Sequence, residues 1–100
     1  MNAKVAGLLG ICAKAGKIAS GAFAAEKIIA SGKAELVLLA EDASEATRSY
    51  YCGMCESKNV PCRVYAEREE LGQAIGKGDR VIVAVTDEGL AQSLISQIDI

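Results

Sequence analysis

Apolar side chains at Val5, Leu8, Leu9 and Cys12 recur at the spacing of one helix face and predict a first helix over roughly residues 2–15, ended at Gly16. Lys17-Ile18-Ala19-Ser20 reads as a short extended piece, and Ser20-Gly21 opens a second helix running to about Ser31, with Gly32 behind it. From Glu35 to Ala40 the chain is apolar through Leu36-Val37-Leu38-Leu39 without a polar break, the pattern of a strand buried on both faces. Ser44 is a good N-cap for a third helix over about 45–58, closed by Asn59 and Pro61. Pro61 to Tyr65 is the next strand, and Glu67 to Ile75 is a short helix stopped by Gly76. Arg80 to Val85 is a second uniformly apolar strand, followed by a last helix from Glu88 to Gln97 capped by Thr86 or Asp87.

Helices and strands alternate almost strictly, and strands apolar on both faces need helices above and below them. The expected class is therefore α/β, a three-layer α-β-α sandwich around a small mixed central sheet of about four strands. One hundred residues with a single proline and no low-complexity run make one domain spanning 1–100, without a linker or an internal repeat.

Composition changes the picture in two places. No apolar run approaches the ~20 residues that cross a bilayer, and the segment after Met1 lacks the sustained apolar core of a secretion signal, so a cytoplasmic protein is expected. The net charge of −2 hides an asymmetry: residues 1–34 carry Lys4, Lys14, Lys17, Lys27 and Lys33 against Glu26 alone, whereas the remainder is acidic. A basic face on an acidic molecule is the expectation.

The residues for catalysis are missing. With no histidine, neither a Ser-His nor a Cys-His nucleophile pair can be built. Gly76-Lys77-Gly78-Asp79 has neither the spacing of a phosphate-binding P-loop nor its magnesium-holding hydroxyl. Glu41-Asp42 lies just beyond the carboxyl end of a buried strand, where α/β folds often place functional groups, and reads either that way or as a solvated turn before the third helix. No enzyme activity and no cofactor are expected.

Cys52-Gly-Met-Cys55 has the spacing of half a zinc site, with Cys62 as a third ligand and Cys12 or an acid as the fourth. Helical spacing places Thr47, Tyr51, Met54 and Cys55 on one stripe, which makes Cys55 a small core hydrophobe instead. That reading is preferred and no metal is expected.

The second helix is the most informative stretch. Ala22, Ala25 and Ile29 fall on one side of it, with Phe23, Lys27 and Ala30 nearly opposite. If the first set packs on the sheet, Phe23 and Lys27 face solvent together at the helix start. An exposed aromatic beside a lysine suits base stacking and phosphate binding, and a helix N-terminus adds free N–H groups. Packing of Phe23 under a loop or against a protein partner is the other open reading. Lys14, Lys17, Lys27 and Lys33 are the candidate remainder of an anion-attracting patch.

From Leu9-Gly10-Ile11-Cys12-Ala13-Lys14-Ala15-Gly16-Lys17 to Gly21, and on through Ser31-Gly32-Lys33-Ala34-Glu35-Leu36-Val37-Leu38-Leu39-Ala40-Glu41-Asp42, the chain resembles the kink-turn-binding ribosomal proteins of the large subunit, the L7Ae and L30e type. The likeness resumes at Asn59-Val60-Pro61 and Glu69 to Lys77. Val83-Ala84-Val85-Thr86-Asp87-Glu88-Gly89 is most similar to the short bacterial, YlxQ-like branch. The resemblance implies the same sandwich and binding of kinked RNA by the start of the second helix and nearby loops. The family's motif of Gly, any residue, Asn-Glu, two residues and Lys falls on Gly21, Phe23, Ala24 and Lys27. Its polar Asn-Glu pair is thus replaced by an aromatic and a methyl, neither of which can hydrogen-bond a guanine edge. The family's second contact loop falls on Gly76-Lys77-Gly78-Asp79-Arg80, with Lys77 and Arg80 able to meet phosphate.

A non-catalytic protein binding structured RNA, ribosomal or kink-turn, and associated with the ribosome or translation follows as the expectation. Its site would comprise Gly21, Phe23, Lys27, Lys14, Lys17, Lys33, Lys77 and Arg80. A protein-interaction module on the same fold is the alternative, and a ring of lysines or an apolar surround at Phe23 discriminates the two.

Overall fold

The computed structural model describes residues 1–100 as five helices and four strands. In chain order these are α1 (Ala3–Lys14), β1 (Ile18–Ser20), α2 (Ala22–Ala30), β2 (Leu36–Leu39), α3 (Glu45–Ser57), β3 (Cys62–Val64), α4 (Arg68–Ala74), β4 (Ile82–Val85) and α5 (Glu88–Ile98). Local chemistry accounts for most helix starts. Asn2 accepts N–H bonds from Lys4 and Val5 at α1, Ser44 from Thr47 at α3, and Asp87 from Leu90 at α5. At α4 a capping box forms between Glu67 and Glu70.

The sheet is mixed, in the order β1-β4-β2-β3: β4 lies antiparallel to both β1 and β2, and β3 runs parallel to β2. Alternation is hidden in the two apolar strands at its centre. Leu36 and Leu38 of β2, with Val83 and Val85 of β4, join Val5, Leu9, Leu71 and Leu94 in a core under α1, α4 and α5. Val37 and Leu39, with Ile82 and Ala84, face the other way and meet Ala25 and Ile29 of α2 and Tyr51 and Cys55 of α3. The expected sandwich is thus present, with one core on each side of the sheet. Cys55 is fully buried, as the stripe reading of α3 requires.

One expectation needs correction. Ala22 does not pack on the sheet with Ala25 and Ile29 but is exposed, because α2 begins beyond the end of β1 and its first residue overhangs the core. Glu41 and Asp42 lie exposed in the turn before α3, as the solvated-turn reading expects, and the cap of α3 belongs to Ser44. Glu41 grips Ala66 from both sides, its own N–H donating to the Ala66 carbonyl and its carboxylate accepting from the Ala66 N–H, each at 2.7 Å. Ala66 is thereby held at φ 64, a left-handed conformation costly for alanine. Asp42 accepts from the backbone N–H and the side chain of Arg68 at 2.9 and 3.2 Å, which anchors the start of α4.

These contacts make stability sensitive to acid. The Arg68 backbone N–H, and secondarily the Arg68 charge, hold the Asp42 carboxyl below its ordinary value; the Arg63 guanidinium does the same for Asp99. Groups with depressed folded-state pKa values add stability above the unfolded value and lose it as pH falls through the folded one. The thermal midpoint should be level above about pH 5 and drop below about pH 4. Replacing Asp42 and Asp99 with asparagine should flatten that drop.

Candidate functional site

Strand register defines two ends of the sheet. Ile18, Leu36 and Val85 lie together at one end, and Ser20, Leu39 and Ile82 at the other. The candidate site forms at the second end, where β1 turns into α2 and the α4–β4 loop enters β4.

Gly21 makes that turn. Its N–H donates to the Ile82 carbonyl at 3.1 Å, and its φ of 85 with ψ 159 is backbone that only glycine adopts readily. It brings no capping side chain, so the first N–H groups of α2 lack an intrahelical partner and point outward. They open into a groove of about 680 Å³ walled by Ser44 and Thr47 of α3, Arg68 of α4, and Asp79 and Arg80 of the α4–β4 loop. Arg80 crosses to β1, its Nε donating to Ser20 Oγ at 3.1 Å and its Nη1 to the Asp79 carbonyl at 2.9 Å. One face of its guanidinium is thus fixed by the protein without an acidic partner.

On the other side of Ser20 a second hollow, along the outer edge of β1, brings together Lys14 at the end of α1 and Lys77 after α4. Phe23 stands 84% exposed on the outer face of α2, and Lys27 one turn later is exposed as well. None of Lys14, Lys17, Lys27, Lys33, Lys77 or Arg80 takes part in an ion pair.

The structure therefore gathers Gly21, Arg80, Lys14 and Lys77 around the end of β1, with Phe23 and Lys27 on the adjoining helix. Lys17 and Lys33 are elsewhere. They precede β1 and β2 and so lie at the opposite end of the sheet, ~10 Å of strand away. The basic residues do not form one face; they are divided between the two ends of the sheet.

Sequence reasoning missed two contributors. Gly72, buried in α4, lies so close to the α4–β4 loop that a Cβ there would collide with the backbone of Gly78. Glycine inside a helix costs ~1 kcal/mol relative to alanine, and that cost was the available signal of a packing constraint. Arg68 was the other, since its place in the groove depends on long-range contact with Asp42.

Glu26, the lone acid of the basic segment, is engaged by α3, one of whose tyrosines, Tyr51, also lines the groove. Tyr50 and Tyr51 of α3 both donate phenolic hydrogen bonds to its carboxylate, at 2.9 and 3.1 Å. Burial first, and the Glu26 carboxylate second, push the Tyr51 hydroxyl up to about 12. A raised acid pKa means that stability is intact below the unfolded value and is lost as pH rises from about 10 through 12. Glu26→Ala should leave the buried Tyr51 hydroxyl without its acceptor and cost ~1–3 kcal/mol. It should also move the highest tyrosine titration, followed by ultraviolet absorbance, toward 10.

The cysteines hold no metal geometry. No group of three His, Cys, Asp or Glu side chains is arranged to bind an ion, and Cys12 is in the opposite core from Cys55. Nor is any helix long and apolar enough to cross a membrane.

Comparison with known proteins agrees with the resemblance read from the sequence. The chain is 45% identical to the RNA-binding protein YlxQ of Bacillus subtilis over 92 residues, covering 92% of each chain. It is 33% identical to the large ribosomal subunit protein eL8 of Picrophilus torridus, covering 86% of this chain and 72% of that one. Among solved structures, a protein of unknown function from Bacillus halodurans C superposes with a TM-score of 0.94 at 35% identity, covering 99% of this chain and 100% of the other. A 15.5 kD RNA binding protein of Giardia lamblia shares the fold, with a TM-score of 0.82 at 24% identity over 99% and 91% of the two chains. Residues 3–95 match the model of the ribosomal protein L7Ae/L30e/S12e/Gadd45 family, and the chain belongs to that family.

Proposed function

We propose that this chain binds structured RNA, of ribosomal or kink-turn type, as a non-catalytic single domain working with the ribosome or translation apparatus in the cytoplasm. The observation that carries the reading is the uncapped start of α2 opening into a groove beside an arginine that has no acidic partner. Free backbone N–H groups and a fixed guanidinium are both phosphate ligands, and a groove end lined by backbone admits close approach. Relatives named as RNA-binding and ribosomal proteins support it from outside the chain.

In this reading Gly21 lets the RNA backbone approach, Phe23 offers a face for an unpaired base, and Lys27, Lys14, Lys77 and Arg80 meet phosphates. Lys17 and Lys33 engage only an RNA long enough to reach the opposite end of the sheet. The protein-docking alternative requires an apolar surround at Phe23. Lys27 one turn away, and the partial positive charge of the helix start beside it, favour a polyanion instead.

Binding to a kink-turn RNA and to a matched unkinked duplex, at low and moderate salt, tests the proposal. Tighter binding to the kink-turn, weakening as salt rises, is the expected result. Lys27→Ala should weaken it. Absence of binding to both RNAs at low salt would sink the reading and make Phe23 the first residue to map for a protein partner.

A further inference from the structure

The RNA surface leaves one chemistry-bearing cluster unused, on the α3 side of the sheet. Cys52 and Cys55 stand one turn apart on α3, and Cys62 opens β3. Between them Asn59 adopts a left-handed conformation at φ 57, and the Val60 N–H donates to the Cys55 carbonyl at 2.9 Å. This tight turn sends β3 back beneath the helix it follows. Register then pairs Cys62 with Val37, a residue of the core under α2 and α3, so the Cys62 thiol faces α3 as well. The outcome is a separation of 3.8 Å between the Cys52 and Cys62 sulfurs, both half-buried, with the Cys55 thiol fully buried beside them.

We propose that Cys52 and Cys62 form a reversible dithiol–disulfide site that takes hydrogen peroxide as its oxidant. The Cys52 thiolate attacks one peroxide oxygen; the O–O bond breaks, hydroxide leaves, and a sulfenic acid forms on Cys52. The Cys62 sulfur then attacks the Cys52 sulfur, the S–S bond forms as the S–O bond breaks, and the hydroxyl departs as water with the Cys62 proton. Two sulfurs together lose two electrons, and the peroxide becomes two waters once the first hydroxide recovers the proton shed by Cys52.

Geometry and access together select this pair, since the Cys55 thiol also contacts Cys62 but is fully buried whereas Cys52 is half-buried. Contact at 3.8 Å needs a further approach of about 1.8 Å to reach a disulfide bond, a distance within the sweep of two side-chain rotations. Cys12 is excluded because the sheet stands between it and the other thiols. Burial, Cys62 and Glu56 raise the Cys52 thiol pKa and Arg48 lowers it, the net being upward. The thiolate fraction at neutral pH is therefore small and the reaction slow.

Peroxide treatment of the purified chain, followed by denaturation, alkylation of free thiols and peptide mapping, tests the site. Expected are a fall from four alkylated cysteines to two, a mass lower by two hydrogens, and a single cross-linked peptide joining Cys52 to Cys62. A reducing dithiol should restore all four. Cys52→Ser, a near-isosteric change at a half-buried position, should abolish the cross-link, and circular dichroism checks that the variant is folded. A cross-link between any other pair, oxygen addition without a cross-link, or four free thiols after hours in peroxide would overturn the proposal.

Discussion

Gly72→Ala is expected to destabilise the protein by about 2–3 kcal/mol, lowering the thermal midpoint by ~10–20 °C, and to weaken RNA binding with it. On an ordinary exposed helix position this change would stabilise by up to ~1 kcal/mol, so the prediction reverses the propensity scale. The reason is the Gly78 carbonyl, which occupies the space a methyl group would need. Backbone, unlike the end of a long side chain, cannot rotate aside. Either α4 shifts away from the 76–79 loop, breaking the 2.8 Å bond from the Lys77 N–H to the Gly72 carbonyl, or the loop moves and carries Lys77 and Arg80 with it. Thermal melts and RNA affinity, measured on the same sample, check both halves. A variant as stable as the parent would mean that the helix and loop do not pack as described.

Arg80→Ala is expected to lower RNA affinity about tenfold to a hundredfold, the ~1.5–3 kcal/mol of a charge-assisted hydrogen bond. It should also reduce the slope of log affinity against log salt by about 1, as the loss of one neutralised phosphate requires. The bond from Arg80 to Ser20 Oγ disappears too, so a modest loss of stability is expected alongside. The two effects separate cleanly: Ser20→Ala removes the same intramolecular bond and leaves the charge. If Ser20→Ala weakens RNA binding as much as Arg80→Ala does, the arginine acts by bracing β1 and not by touching RNA.

Much of this architecture is legible in the chain because it is written in local signals. Leu36 to Leu39 and Ile82 to Val85 can only be buried on both faces, and Ser44 and Asp87 mark their helix starts by side-chain chemistry. What resists reading is whatever depends on which ends of the strands meet. Lys14 and Lys17 are neighbours in sequence, yet one turns toward Lys77 beside β1 while the other precedes the strand at the far end of the sheet. Ala22 reads as a core residue because helical periodicity does not say where the sheet stops. Glu41, Ala66 and Arg68 carry no periodic signal at all; their roles are set by bonds across 25 or 26 residues.

That last set of contacts has a dynamic consequence. From Ala66 to Arg80 the chain leaves the sheet, makes α4 and returns, and the Arg80 N–H closes the excursion by donating to the Arg68 carbonyl at 3.0 Å. Its fastenings to the rest of the molecule are Glu41 at Ala66, Asp42 at Arg68, the Met1 amino group at Glu70, Ser20 at Arg80, and the apolar anchors Leu71 and Ile75. A segment closed on itself by its own Arg80–Arg68 bond opens as one cooperative unit. Hydrogen exchange at the Ala66, Lys77 and Arg80 amides should then proceed with a shared free energy, below that of the β2 and β4 amides. One wall of the groove would thus breathe as a single body while the α2 wall, seated on the central strands, stays closed.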